Sequence, residues 1–183
     1  NPIFKLLEHY CGVSWHELPF DAEGFAIPGI EGLRFQALPL QSKAPPYSPH
    51  RNQPQAGDNI GITIMASDRS RSAFYAPGLG AIEPQVWQAM QAADCVLVDG
   101  TVWREDEMIH LGASRKYARD MGHLPQSGAG GMIEYLERLS PDTRKILIHI
   151  NNTNPILNED GPQRAELASK NIEVARDGME IVP

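Results

Sequence analysis

Cysteine is scarce, long apolar runs are absent and basic residues never cluster. The 183 residues hold two cysteines, Cys11 and Cys95, far apart and without metal or redox spacing. That argues against a disulfide scaffold and points to a reducing, cytoplasmic compartment. No apolar stretch reaches the roughly 20 residues of a membrane span, and no signal peptide opens the chain. The net charge is −7, the pI is near 5.3 and no basic run appears, which argues against a nucleic-acid partner. An initiator Met is also lacking. The chain opens at Asn1, inside what reads as a helix from Pro2 to His9, so an upstream part is expected to be missing. A hydrophobic content of 42% over this length suits a single domain, residues 1–183, able to bury most of its apolar surface.

The elements follow an α/β order. Asn1 reads as the cap of the first helix and Pro2 as its first residue, with Ile3, Leu6 and Leu7 on one face and Gly12 as the stop. Gly32 to Leu38 alternates apolar and polar residues, and Asn59 to Met65 and Ser72 to Ala76 read as a strand pair. Pro84 to Ala92 reads as a helix with Val86, Trp87 and Met90 inward. Cys95 to Val98 and Lys145 to Ile148 are continuous apolar runs, as in strands buried on both faces. Ser127 is a candidate cap for a helix running to Leu139, with Met132, Ile133, Leu136 and Leu139 inward. Pro162 to Lys170 reads as another helix. Asn171 to Ala175 and Met179 to Val182 read as a terminal hairpin about the turn Asp177-Gly178.

Polar groups gather where the buried runs end. Ligand sites of α/β proteins lie outside the carboxyl ends of strands. His149 ends one run and is followed by Ile150-Asn151-Asn152-Thr153-Asn154-Pro155. Imidazole is the commonest protein metal ligand, and Asn151, Asn152 and Asn154 are candidates to orient it or to touch a polar ligand. The plainer reading is a histidine that starts a loop. Asp99 ends the other run, where a carboxylate is costly unless paired, hydrogen-bonded or metal-bound. Its plainer role is to cap the segment Trp103 to Ile109. His123, ahead of a glycine-rich helix start, is a candidate proton donor or ligand, or else a capping or surface histidine. Gln41 to Asn59 is a long proline-rich loop whose Tyr47, His50, Arg51 and Asp58 are either a ligand wall or a solvated surface.

Several of these segments carry a family resemblance. Pro45-Pro46-Tyr47-Ser48-Pro49-His50-Arg51, Phe74-Tyr75-Ala76-Pro77-Gly78-Leu79-Gly80, Leu97-Val98-Asp99-Gly100-Thr101 and Met121-Gly122-His123-Leu124 resemble the pyrroloquinoline-quinone (PQQ) biosynthesis protein B family. So do His149-Ile150-Asn151-Asn152-Thr153-Asn154-Pro155 and Asp177-Gly178-Met179. The resemblance implies a metallo-β-lactamase-like αβ/βα sandwich, present here as its carboxyl-terminal part. The missing amino-terminal part would carry a structural zinc site and the first metal-binding motif. It implies that His149 is a metal ligand and that Asp99 and His123 form a proton-handling pair. Tyr47, His50, Arg51, Asn151 and Asn152 would face the substrate, Arg51 holding a carboxylate.

The implied activity is iron-dependent oxygenation of the tyrosine ring of a Glu–Tyr precursor of PQQ in the bacterial cytoplasm, with Fe(II), or zinc in its place, and O₂ as co-substrate. Two alternatives stand beside it: a carrier of PQQ or its precursor, and a metal-dependent hydrolase. Related nucleases of the fold keep a histidine where Gln41 and Ser42 stand, and a bridging aspartate where Pro77 and Gly78 stand. Those departures argue against a two-metal hydrolase and for one ion with open positions. The partners expected are a small-molecule precursor and other proteins of the same pathway. A homodimer is compatible with the reading, whereas nucleic acid and membrane are not expected.

Overall fold

The computed structural model describes residues 2–44, 48–51 and 53–182. A six-stranded sheet runs in the order β1-β2-β3-β4-β5-β6: Leu33–Pro39, Ile60–Ala66, Ser72–Ala76, Cys95–Asp99, Arg144–Ile148 and Ile172–Val174. The first three strands pair antiparallel, and β3 to β6 are parallel. Each parallel step needs a crossover, and the helices supply it. The helix α1 (Pro2–Tyr10) precedes the sheet. The helix α2 (Pro84–Ala92) links β3 to β4. Between β4 and β5 come α3 (Glu107–His110), α4 (Ala118–Met121) and α5 (Met132–Glu137). The helix α6 (Pro162–Ser169) links β5 to β6.

The crossovers lie on one face of the sheet, as right-handed connections advancing in one direction require. Val86 and Met90 of α2, Met132, Ile133 and Leu136 of α5 and Leu167 of α6 pack there on Phe74, Val96, Val98 and Leu147. Burying each such side chain contributes about 1.5–3 kcal/mol. The opposite face holds a smaller cluster. Ala73, Cys95 and Ile146 are buried in it, and Leu97, Ile148, Ala175, Met179 and Ile181 pack around them.

Two expectations need correction. The helix expected from Ser127 starts at Met132, with Gly131 as its cap. Gly128 and Gly130 hold left-handed backbone, and the Ser127 hydroxyl donates instead to the Trp103 carbonyl at 2.7 Å. No terminal hairpin forms, although Asp177-Gly178 does turn the chain, Met179 donating to the Arg176 carbonyl. Ile172–Val174 adds to β5 in parallel, and residues 179–181 cross the sheet's other face, where Met179 and Ile181 bury apolar surface that a hairpin would leave outside. The helix α1 forms, and Gly12 stops it with φ +76°, but Leu6 and Leu7 of its apolar face are 56% and 40% exposed. The proposed cap Asn1 lies outside the described residues.

A bidentate ion pair fastens the edge strand. Arg144 of β5 donates Nε and Nη2 to the Glu173 carboxylate of β6 at 2.7 and 3.0 Å. Those bonds hold the Glu173 carboxyl below its ordinary value of 4.5. A depressed carboxyl contributes stability that is present above its unfolded pKa and is lost as pH falls through the folded one. At this half-exposed site the pair is worth about 0.5 kcal/mol. Urea melts should therefore show Glu173→Gln less stable by that amount at neutral pH and equal to the parent in acid below the depressed value.

Candidate metal centre

Asp99 and His149 leave the sheet at the carboxyl ends of adjacent parallel strands, β4 and β5. Asp99 pairs with Ile148 in register, so the residue after each strand emerges at the same edge. His149 then adopts left-handed backbone, φ +56°, a conformation histidine visits more readily than most side chains. This kink turns the chain over the end of β4. Gly100 lies beneath it and donates to the Ile148 carbonyl at 2.7 Å. A Cβ on Gly100 would stand 2.7 Å from Ile150 Cδ1 and 3.0 Å from the Ile148 oxygen, so the close approach requires glycine.

The loop after His149 is strapped to the loop after Asp99. Asn151 donates its backbone N–H to the Thr101 carbonyl at 3.0 Å. Asn154, buried, donates its amide to the Gly100 carbonyl at 2.9 Å and accepts from the Ile156 N–H at 3.1 Å. The buried Glu107 carboxylate accepts from the Trp103 N–H and from the Thr153 hydroxyl, both at 2.6 Å. On the third side, the Gln126 amide donates to the Gly100 carbonyl and holds the segment that bears His123.

Asp99 is fully buried, and four donors surround its carboxylate. The Thr101 N–H, at 3.1 Å, and the Thr101 hydroxyl reach Oδ1. The Leu79 N–H at 3.1 Å and His123 Nδ1 at 2.6 Å reach Oδ2. Burial pushes the carboxyl up, but the interactions with His123, His149 and Thr101 outweigh it and hold Asp99 below the usual carboxylate range. Asp99 is therefore an anion with its acceptor positions taken, and it caps no helix: α3 starts at Glu107, with Asp106 before it.

His149 Nδ1 lies 2.8 Å from the Thr101 hydroxyl and 3.5 Å from Asp99 Oδ1. The interaction with Asp99 raises the His149 pKa above its ordinary 6.5. The rings of His123 and His149 stand 5.3 Å apart, tilted by 34°. Asp99, His123 and His149 each offer one ligand atom, and these lie within 4.8 Å of one another. The donor set, two imidazoles backed by a carboxylate, fits zinc or Fe(II). With Asp99 engaged by four donors, the imidazoles are the groups that would hold the ion, and Asp99 is the partner that orients them.

Among the described residues, the side chains of His50, Arg51 and Asn151 have hydrogen-bond partners outside the Asp99–His123–His149 cluster. His50 Nδ1 faces Asp58 at 3.4 Å, and the Arg51 guanidinium donates to the Ala44 carbonyl, so both are engaged in their own loop. Tyr47 lies outside the described residues. Asn151 donates its amide to the Thr153 hydroxyl at 2.6 Å, and Asn152 is exposed. Thr101 and Glu107 were not singled out from the sequence. Thr101 follows Asp99-Gly100 at the strand end, a position that signals it, whereas Glu107 resembles any helix-surface glutamate. A cleft of about 630 Å³, lined by Ser42, Lys43, Glu83, Arg119 and others, reaches Gly122 beside His123.

A sheet with parallel strands, helices on one face, and His149 at a strand end beside His123 is the arrangement expected of a metallo-β-lactamase-like protein. The model of the beta-lactamase superfamily domain matches residues 1–150, and the chain belongs to that superfamily. Within it, the chain is similar to coenzyme PQQ synthesis protein B. The protein of that name from Azoarcus sp. is 64% identical over 179 residues, 98% of this chain and 59% of the relative. The one from Methylococcus capsulatus is 62% identical over 181 residues, 99% of this chain and 59% of the relative. The crystal structure of Zn(2+)-bound PqqB from Methylobacterium extorquens superposes with a TM-score of 0.75 at 29% identity, over 84% of this chain and 51% of that one. The resemblance read from the sequence motifs is borne out, and the chain spans about three fifths of the length of these curated relatives, 59%. Among the described residues, no helix is long and apolar enough to cross a membrane.

Asp99→Asn places an amide NH₂ among donors. Leaving one of the buried N–H groups without an acceptor costs about 1–3 kcal/mol, which chemical denaturation should register. The same change should return the His149 pKa toward 6.5, read by NMR titration of the metal-free chain. A raised histidine contributes stability that is present below its unfolded pKa and lost as pH rises through the folded one. The parent should accordingly lose this contribution on going to alkaline pH, and the variant should not.

Proposed function

We propose that this chain supplies part of the metal centre of a PQQ-biosynthetic oxygenase, as the carboxyl-terminal portion of a longer protein. The substrate of this reading is a Glu–Tyr-derived precursor whose tyrosine ring is oxygenated. The observation that supports it most directly is the meeting of His123, His149 and Asp99 at one strand edge, in a chain 64% identical to a coenzyme PQQ synthesis protein B. His149 and His123 would hold the ion. Bound Fe(II) would supply the activation of O₂.

The chain's own residues set the surroundings. Asp99 carries a negative charge behind the imidazoles and favours their donor forms on the side facing it. His149 is the exposed member, its side chain 54% accessible, against 19% for His123. The cleft beside His123 carries both signs, Lys43 and Arg119 against Glu83, which suits a substrate with both carboxylate and amine. Against the hydrolase alternative, the Ser42 hydroxyl donates to the Gly122 carbonyl at 2.8 Å, and the Gln41 N–H is bonded to Glu83. Neither residue supplies the imidazole that the related nucleases keep at this position.

The test uses the full-length protein, purified without air and reconstituted with Fe(II). Mass spectrometry of a Tyr-containing precursor should show oxygen incorporation that depends on both iron and O₂. His149→Ala should lower bound iron by 10-fold or more, roughly the range that loss of a ligand partner brings. Equal conversion by the metal-stripped protein, or unchanged iron in His149→Ala, would sink the oxygenase reading. Tight PQQ binding without conversion would favour the carrier.

A further inference from the structure

The Thr101 hydroxyl stands at the meeting point of three groups, and its single proton decides their hydrogen positions. It lies within hydrogen-bond distance of Asp99 Oδ1, of His149 Nδ1 at 2.8 Å and of His123 Nδ1 at 3.1 Å. Each Asp99 oxygen already accepts a backbone N–H, Oδ1 from Thr101 and Oδ2 from Leu79, both at 3.1 Å, so both act as acceptors. The hydroxyl proton must therefore point to Asp99 Oδ1, the charged acceptor and the nearest of the three. The hydroxyl lone pairs then face both imidazoles. Two acceptors cannot face each other at 2.8 Å, so His149 Nδ1 carries a proton. His123 Nδ1, 2.6 Å from Asp99 Oδ2, must carry one as well.

We infer that Thr101 is a positioning residue that fixes His149 in its Nδ1–H tautomer and so presents the Nε2 lone pair to a metal. This rests on the metal-centre reading only for the last step; the tautomer follows from the hydrogen bonds alone. The two histidines depend on Thr101 unequally. His123 keeps its bond to Asp99 when the hydroxyl is removed. Among the described residues, the near partner of His149 Nδ1 is Thr101 at 2.8 Å, and Asp99 Oδ1, at 3.5 Å, is a longer and weaker second one. The fit is specific: Thr101 is 8% exposed, its own N–H donates to the same Asp99 oxygen, and β-branching restricts its rotamers. Thr101 also binds the two loops at the site, since its carbonyl accepts from the Asn151 N–H at 3.0 Å. Nothing here requires Thr101 to touch the ion.

The experiment is imidazole ¹⁵N NMR on the metal-free chain, at a pH well above histidine titration, on the parent, Thr101→Val and Thr101→Ser. The parent should show Nδ1 protonated and Nε2 unprotonated for both histidines. Thr101→Val should shift His149 toward the Nε2–H tautomer while leaving His123 as it was, and Thr101→Ser should keep the parent pattern. A purely structural role would disturb both histidines or neither. The parent spectrum needs no variant to fold, and a parent His149 already in the Nε2–H form overturns the inference outright. An unmoved His149 in folded Thr101→Val overturns it too. Titration of the full-length protein with Zn(II) alone, followed through the same resonances, forms the second arm. Thr101→Val should weaken zinc binding by about 10-fold, and Thr101→Ser should stay close to the parent. If the tautomers behave as stated and zinc leaves the His123 and His149 signals unmoved, the metal reading fails while the role of Thr101 stands. If zinc binds equally to parent and valine variant, the claim that Thr101 prepares the ligand fails.

Discussion

The buried carboxylate of Asp99 is the constraint from which the site follows. An ionised side chain with no exposed surface is tolerated only when its acceptor positions are filled, because an unpaired charge in the interior costs several kcal/mol. The donors that fill them come from three places in the chain: the Leu79 N–H after β3, the Thr101 N–H and hydroxyl after β4, and the imidazole of His123 after α4. Folding one carboxylate into the sheet edge thus obliges separate segments to converge. His149 joins through Thr101 at the end of the next strand.

Parallel pairing makes that convergence possible. Two adjacent parallel strands end on the same side, so the residue beyond each can share one edge, which an antiparallel pair would place at opposite ends. The geometry then demands two unusual backbones. His149 must bend with positive φ, and Gly100 must carry no Cβ because the His149 turn packs on it. Such strain persists where the surroundings over-determine it. Here Asn154, Glu107 and Gln126, all buried, grip the same two loops through hydrogen bonds to Gly100, Trp103 and Thr153.

Much of this was legible in the sequence, and the rest has identifiable reasons for hiding. Apolar runs that end in Asp99 and His149 declare both the buried strands and the edge at which a ligand site belongs. The approach of Asp99 to His123 was inferable because a carboxylate there needs a partner. Thr101 and Glu107 escaped notice, since a threonine in a turn and a glutamate at a helix start look alike whether they face water or a buried network. The terminal hairpin was misread for a related reason. Asp177-Gly178 does turn the chain, but a local turn signal cannot reveal that β5 still has an open parallel edge for Ile172–Val174. His50 and Arg51 illustrate the limit for long loops, whose composition names polar groups without saying which way the loop folds them.

The two positions at which the sequence resemblance would place further metal ligands in related nucleases make other contacts in this chain. Ser42 stands at one of them, and its hydroxyl donates to the Gly122 carbonyl at 2.8 Å. Gly122 has φ +93°, and an added Cβ would lie 2.6 Å from that same hydroxyl oxygen, so the two residues fix the turn from which His123 emerges. The other position is the turn at Pro77 and Gly78, which delivers the Leu79 N–H to Asp99 at 3.1 Å, while the Leu79 carbonyl accepts from the Leu124 N–H at 2.6 Å. A bridging carboxylate in that turn would bring a second negative charge toward Asp99, and a histidine in place of Ser42 would lack the compact hydroxyl that meets Gly122. Restoring a two-metal site would therefore dismantle supports of the Asp99–His123 pair. Ser42 and the Pro77-Gly78 turn thus belong to the supports that hold Asp99 and His123 in place.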